Sequence, residues 1–385
     1  MKRILVLGGG LVGGVMARDI ALEPGVEVTV ADRDEAVLAR VAARGRVKTV
    51  RCDFSDGARI AELARGHDLV LGAAPGFLGF SVMRAVLEAG RPMVDISFMP
   101  ENALELDNLA KGRGVPAVFD CGVAPGMSNL LVGRAASLLD EVDSATILVG
   151  GLPVQRYWPF EYTAVFSPID VIEEYTRPAR LVENGAVVER EALSDVELVD
   201  FEGVGTLEAF NTDGLRSLLF TVKARNMKEK TMRWPGHVEK MRLLREIGFF
   251  GKEPIEVAGV KVRPIDLTAW LMFPLWKLRE GDEEITIMRV QVEGRKGNVR
   301  QRHIWDLLDS TDKESGEMSM ARTTGFPATA VARLVLQGTI SKPGVHAPEM
   351  LGREPEVYEA VMEALRARRV IFRERVEEIA QKGAA

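Results

Sequence analysis

An apolar run, Ile4-Leu5-Val6-Leu7, passes directly into Gly8-Gly9-Gly10-Leu11-Val12-Gly13 and then into a helical pattern from Val15 to Ala21. A strand that turns into a helix through glycines at this spacing reads as a phosphate cradle. Gly8 permits the tight bend, Gly10 lets backbone amides approach a pyrophosphate, and Gly13 lets helix and strand pack closely. The helix N-terminus, where Leu11 and Val12 lie, attracts the phosphate charge. A second strand, 26–31, ends at Asp32. An acidic residue about 20 positions beyond the glycines is where a dinucleotide fold accepts hydrogen bonds from the adenosine ribose. This favours NAD. Arg33 follows at once and could instead meet a 2′-phosphate, although Asp32 would repel it, so NADP is the lesser option.

Composition narrows the partners. A chain of 385 residues exceeds what one core usually serves, so two domains are expected, and a hydrophobic content of 46% can fill both. A formal net charge of -6 leaves no basic footprint for nucleic acid or an anionic membrane surface, so the expected partner is a small molecule. Two cysteines, Cys52 and Cys121, do not make a disulfide framework or a structural zinc site. His67, His303 and His346 do not stand at metal-ligand spacing, and no metal is expected. The N-terminus reads straight into a strand, with no apolar leader and no membrane-length run later, so a cytoplasmic chain is expected.

Beyond Asp32 short valine-rich strands at 47–51, 68–72, 93–96 and 117–119 alternate with helical patterns at 58–64, 81–89 and 103–111. Six strands in this order predict an α/β doubly wound parallel sheet of the Rossmann kind. Ligands of such sheets lie beyond the carboxyl ends of the strands, which selects Asp32, Asp53, Ala73, Ala74, Pro75, Asp95, Ser97, Asp120 and Gly122. Asp53 is placed to meet an adenine amino group, and Ala73-Ala74-Pro75 forms a small-residue loop able to run along a cofactor. Each of these residues also reads as an ordinary strand-end turn or cap.

After about residue 139 the rhythm changes. Segments 145–149, 179–182, 186–189 and 284–292 read as strands, with an Asn184-Gly185 hairpin turn, and helices are expected at 169–175, 237–247 and 266–278. This predicts a second α+β domain on a mixed, largely antiparallel sheet. The helix at 266–278 is apolar nearly all round and is expected to be buried. Residues 319–336 form another apolar helix able to return to the first domain, and the charged tail from Glu374 is expected in solvent. The expected division is therefore 1–125 for dinucleotide binding, completed by 318–350, then 126–317 for substrate and dimerisation, and a helical tail at 351–385.

The glycine turn, Asp120-Cys121-Gly122-Val123-Ala124-Pro125-Gly126-Met127, Ala209-Phe210-Asn211-Thr212-Asp213-Gly214-Leu215-Arg216-Ser217, Thr231-Met232-Arg233-Trp234-Pro235-Gly236-His237 and Met320-Ala321-Arg322-Thr323-Thr324-Gly325 together resemble the saccharopine dehydrogenase superfamily. The likeness runs along nearly the whole chain in order. Saccharopine reductases usually carry an aspartate directly before Pro-Gly, where Ala124 stands here, and often an arginine inside the Asn211-to-Asp213 motif. In both respects the chain is similar to the lysine-oxidising branch. The resemblance implies NAD-linked oxidative deamination of the ε-amino group of L-lysine, to a semialdehyde that cyclises to a piperideine carboxylate with release of ammonia. It also implies a homodimer. A saccharopine-type or carboxynorspermidine-like enzyme of secondary amines is the nearest rival, and a non-catalytic NAD-binding protein the rival from another class.

Such chemistry needs a proton acceptor, because hydride leaves the ε-carbon only after the ammonium, which titrates at about 10.4 in water, has lost a proton. Asp95 and Asp120, which end neighbouring strands, are the leading acidic candidates; either would stabilise a bound ammonium, so a useful base needs a pKa raised by burial or the proton passes through water. Arg216 suits the substrate carboxylate, beside an Asp213-Gly214 pair that suggests an exposed turn. Thr231 is a weaker hydroxyl candidate. His237 is a candidate proton acceptor or hydrogen-bond partner, more often a capping residue in such a setting, and Lys240, one turn on, could share its face.

Overall fold

The structure is a computed structural model that describes residues 1–164 and 168–379. The chain divides into two compact units, one of Met1–Leu138 with Ala321–Phe372 and one of Leu139–Met320 with Arg373–Ala385. No helix among the described residues is long and apolar enough to cross a membrane.

The first unit is the expected parallel sheet with one more strand than expected. Strands β1 (Lys2–Leu7), β2 (Val26–Asp32), β3 (Val47–Arg51), β4 (Leu69–Gly72), β5 (Met93–Asp95) and β6 (Pro116–Val118) are joined at the far edge by Gly344–His346, so that the order from that edge is 344–346, β6, β5, β4, β1, β2, β3. All its pairings are parallel. Ile4 to Leu7 and Leu69 to Leu71 are fully buried, as central strands covered on both faces must be. Three residues, Gly-Val-His, were too short a run to read as a strand from the sequence.

The helix Ser319–Gln337 does return to this unit from residue 321 on, and its means of attachment are specific. A side chain on Gly325 would stand 3.1 Å from Met16 and 3.5 Å from Val12 of the helix Leu11–Ile20, so glycine sets the close approach. Asp19 of that helix is 6% exposed and receives Arg333 at 2.9 Å, Arg368 at 2.6 Å and the Thr329 hydroxyl at 2.5 Å. A buried carboxylate with two guanidinium partners ties the returning segments to this helix, and removing Asp19 would take the shared partner from both arginines.

The second unit is built on one large mixed sheet. We number its strands β7 (Glu141–Pro153), β8 (Ala179–Glu183), β9 (Ala186–Arg190), β10 (Glu197–Phe201), β11 (Gly205–Asn211), β12 (Ala224–Arg233), β15 (Glu284–Lys296) and β16 (Val299–Ser310), while β13 (Ile255–Val257) and β14 (Val260–Val262) form a separate two-stranded sheet. The order β10-β11-β12-β7-β15-β16 continues to Phe372–Ile379, with β8 and β9 paired off β12. β12 lies parallel to β7, while β10–β11, β11–β12, β12–β8, β8–β9, β7–β15 and β15–β16 are antiparallel. An aromatic core of Tyr162, Tyr175, Phe210, Phe250 and Trp276 packs with Val171, Ile172 and Met241.

Three expectations are corrected. The first unit runs to Leu138 rather than 125, because the helix Met127–Leu138 belongs to it and packs Gly133 against the Glu349 backbone, 2.1 Å from where a Cβ would stand. The end of the chain is not a helical tail: Pro355–Ala367 is a helix of the first unit and Phe372–Ile379 a strand of the second sheet, its side chains largely exposed. The expected buried helix ends early, at Met272, and only one face of it is covered. Ile265, Thr268 and Met272 are buried, while Leu267, Trp270 and Leu271 are exposed, Trp270 to 74%.

Candidate active site

The glycine turn is assembled from backbone. Gly8 has φ +108°, and a Cβ there would stand 2.4 Å from the Ala73 carbonyl; at Gly13 it would meet the Gly8 carbonyl at 2.0 Å. At Gly10 nothing lies within 4 Å, so this one position opens outward. The helix that follows has no side-chain cap and no acidic residue in its first turn, which leaves its positive end free for an anion. Asp32 sits beside this turn, accepting hydrogen bonds from the Gly9 amide at 2.8 Å and the Asp34 amide at 3.0 Å. The residues present therefore fit a dinucleotide: amides and a dipole for phosphate, a side-chain-free approach at Gly10, and a carboxylate at the end of β2. Leu11 is 49% exposed and Val12 half-buried at the start of the same helix.

The other first-unit candidates divide. Ala73 donates to the Leu7 carbonyl at 2.8 Å, Ala74 is buried, and Pro75 caps the helix Gly76–Glu88, so this loop does run beside the glycine turn. Arg33 is exposed, and its charge reaches Asp53, which is also exposed. The Asp53 carboxylate takes the Ser55 amide at 3.0 Å, a local turn that holds it below the usual range.

Asp95 is fully buried at the end of β5. It accepts from the Ser97 amide at 2.9 Å and the Ser97 hydroxyl at 3.0 Å, and it covers Gly72 so closely that a Cβ there would stand 2.0 Å from its oxygen. Burial lifts this carboxyl to about 7 against those hydrogen bonds, and the charge of Asp120 adds to the rise. Ser97, expected against a cofactor, is thus committed to Asp95. Asp120 is 1% exposed and takes φ +49°, a left-handed conformation that aspartate tolerates. Gly122 follows where Thr324 lies 3.1 Å from the Cβ position, so the Gly122-to-Gly126 loop closes on the helix of Arg322-Thr323-Thr324. Cys121 is buried, and desolvation with both aspartates pushes its thiol up, away from nucleophilic chemistry.

In the second unit the structure revises the expectations more strongly. Asp213 and Arg216 are each 6% exposed, so Asp213-Gly214 is not an exposed turn, and Asp213 is held by Arg180 through a two-point contact at 2.9 and 2.8 Å. Arg216 takes φ +53°. His237 is 1% exposed. Its Nε2 meets the Tyr175 hydroxyl at 2.9 Å and its Nδ1 the Phe160 carbonyl at 3.2 Å. Burial, then the charge of Arg233, pushes this imidazole down to about 3, so it stays neutral with both nitrogens engaged, which argues against a proton acceptor. Lys240, one turn on, lies half-buried, 3.7 Å from Glu161 and over the Trp158 ring, and its charge adds to the lowering of His237.

Several site-like residues were not singled out from the sequence. Alternation along β12 puts Glu229, Thr231 and Arg233 on one face, and all three are buried. Thr231 bonds Thr212 at 2.9 Å, and Thr212 bonds Glu229 at 2.5 Å. Arg233 bonds Glu174 at 2.7 Å and lies over the Tyr162 ring. Burial opposes its charge, but Tyr162, Tyr175 and Glu174 outweigh burial and hold the guanidinium above its ordinary range. The Arg233 Nε and the Tyr162 hydroxyl are buried with no hydrogen-bond partner among the described residues. Glu229, Thr231 and Arg233 stand at i, i+2 and i+4 of a strand that is polar along most of its length, so the sequence offered little signal that this face is buried. A separate cavity of about 570 Å³ is lined by Asn211, Ser194, Asp195, Asn226 and Lys228 among others.

Two family descriptions match this chain: "Saccharopine dehydrogenase NADP binding domain" over residues 4–118 and "Saccharopine dehydrogenase C-terminal domain" over residues 122–371. The mouse mitochondrial alpha-aminoadipic semialdehyde synthase is 21% identical over 96% of this chain and 47% of its own, so the chain spans about half the length of that relative. The carboxyaminopropylagmatine dehydrogenase of Synechocystis is 24% identical over 92% of this chain and 94% of its own. Among solved structures, the apo saccharopine dehydrogenase (L-Glu forming) of Saccharomyces cerevisiae shares the fold, with a TM-score of 0.81 at 18% identity over 99% of this chain and 100% of that one. With both halves of the sequence matched in order, the chain belongs to the saccharopine dehydrogenase family.

Proposed function

We propose that this chain is an NAD-dependent amino-acid dehydrogenase that oxidises the ε-amine of L-lysine, an L-lysine 6-dehydrogenase. The observation that carries the reading is Asp95: a buried carboxyl at the carboxyl edge of a dinucleotide sheet, held at about 7, where a general base for an amine is effective. The glycine turn and Asp32 would hold the dinucleotide, and bound nicotinamide would supply the hydride acceptor. Asp95, with Asp120 beside it, takes the proton that the ammonium must lose. Water then hydrolyses the substrate iminium to the semialdehyde and ammonia.

For the amino acid's own ends we assign the second unit: Arg216 and Thr231, as the sequence suggested, joined by Arg233 with its unpartnered Nε. NAD is preferred over NADP because Asp32 faces the turn while Arg33 stands in solvent. The family description names NADP. A homodimer is supported by the exposed apolar stripe Leu267, Trp270, Leu271; Trp270→Arg should reduce the mass seen by light scattering from two chains to one.

A second reading, a dehydrogenase of secondary amines such as saccharopine, is favoured by the names that the relatives carry. Nicotinamide reduction followed with L-lysine, ornithine, saccharopine and glutamate in separate cuvettes, with NAD and NADP, decides between them. Signal with lysine and NAD is expected. Signal with saccharopine alone overturns the substrate, and none with any amine across pH favours a binding protein.

A further inference from the structure

A chain of two hydroxyls in the second unit ends on a buried carboxyl, and it can run in either direction. Thr212 Oγ1 lies 2.5 Å from Glu229 Oε2 and 2.9 Å from Thr231 Oγ1. A threonine hydroxyl has one hydrogen to give and two lone pairs to accept with. If Glu229 is ionised it can only accept, so Thr212 donates to it and accepts from Thr231, whose oxygen is left as an acceptor. If Glu229 carries a proton it donates to Thr212, Thr212 donates to Thr231, and the hydrogen of Thr231 is left to give. We propose that Glu229 is a positioning residue whose protonation sets whether Thr231 offers a donor or an acceptor to the amino acid held in this unit. This rests on the reading of the second unit as the amino-acid-binding part.

The surroundings favour the proton-bearing form. Asp213, on the turn after β11, is neutralised by Arg180 of β8, and Glu174, on the helix Pro168–Thr176, by Arg233 of β12 itself. Both carboxylates face Glu229, whose own contacts are the Thr212 hydroxyl and the Gly214 amide. Gly214 is there because a Cβ would stand 2.4 Å from the Glu229 carboxyl carbon. Burial first, then Glu174 and Asp213, lifts this acid to about 8 from 4.5 against its hydrogen bonds. Near neutrality Thr231 therefore offers a donor, the polarity that suits a carboxylate; an ammonium would require the reverse.

The test uses the full chain. Infrared titration should show carboxylic C=O absorption lost as pH rises through about 8, shared by Glu229 and Glu284; the Glu229 share is removed in Glu229→Gln and shifted in Thr212→Val. The apparent lysine constant of the wild type should rise about tenfold across the same step, the worth of one hydrogen bond to a charged group. Glu229→Gln, which no longer titrates, should lose the step. Thr212→Val should lose the step too, because Thr231 no longer has Thr212 to give its hydrogen to, and Thr212→Ser should restore the wild-type profile. A step that persists in folded Glu229→Gln, or in Thr212→Val should the glutamine variant not fold, overturns the proposal. So does a band unaffected by Glu229→Gln. Failure of the wild type to oxidise lysine would instead strike the function proposed above, while the infrared experiment would still judge Glu229.

Discussion

The glycine turn of the first unit and the buried polar face of β12 in the second are made in opposite ways. At the turn, function is prepared by what is missing: side chains at Gly8 and Gly13 would collide with backbone at 2.4 and 2.0 Å, and at Gly10 the absence of one leaves the helix end open. On β12, groups that are costly to bury are present together, and each is kept by a partner distant in sequence, Glu174 for Arg233 and Thr212 for Glu229 and Thr231. A backbone-built site is rigid and tolerant of solvent. A side-chain-built site is held by its pairings, and losing one partner leaves a charge stranded.

The contrast can be broken most severely at Gly13. Gly13→Ala should lose dinucleotide binding and cost at least about 3 kcal/mol in stability, because helix and strand must separate; chemical denaturation checks it. Arg233→Met should cost about 3 kcal/mol by removing the buried guanidinium that bonds Glu174 at 2.7 Å, and should raise the lysine constant more than the NAD constant. Arg216→Ala should also act on lysine rather than NAD; equal effects on both would remove it from the site. Asp32→Ala should weaken NAD about tenfold while leaving turnover at saturating cofactor nearly intact, since it deletes hydrogen bonds to the ribose and the Gly9 amide; calorimetric titration reads this.

The smallest effect is one of pH. Glu229 and Glu284 are raised to about 8 and Asp95 to about 7, so the folded chain binds more protons than the unfolded one above pH 4.5, and stability falls as pH rises toward 8. His237, lowered to about 3 from 6.5, acts oppositely but only below 6.5. Between pH 6.5 and 8 the melting temperature should therefore fall, and Glu229→Gln should flatten that slope.

The same contrast explains what was legible. The turn could be read because its physics is local: three glycines and one aspartate within one strand-helix-strand stretch. The parallel sheet followed from the valine-rich strand rhythm, save the three-residue strand at 344–346. Asp95 could be found as a strand end, but its high pKa depends on burial that no spacing reveals. In the second unit, Arg216 and His237 were noticed as residue types, while their burial and the partners of His237 came from tertiary packing. Glu229 was passed over because an acid inside a strand ordinarily faces solvent; here Thr212, brought opposite it by the β11–β12 pairing, covers it. The exposed Trp270 misled in the other direction, an apolar face that does not signify the interior of one chain.

The most direct trial of the central reading uses L-lysine carrying deuterium at the ε-carbon, incubated with the enzyme and NAD. Deuterium should appear on the reduced nicotinamide, single-turnover reduction should show a primary isotope effect, and Asp95→Asn should lose reduction while retaining NAD binding. Reduced nicotinamide without the label, or full activity in Asp95→Asn, would contradict that reading.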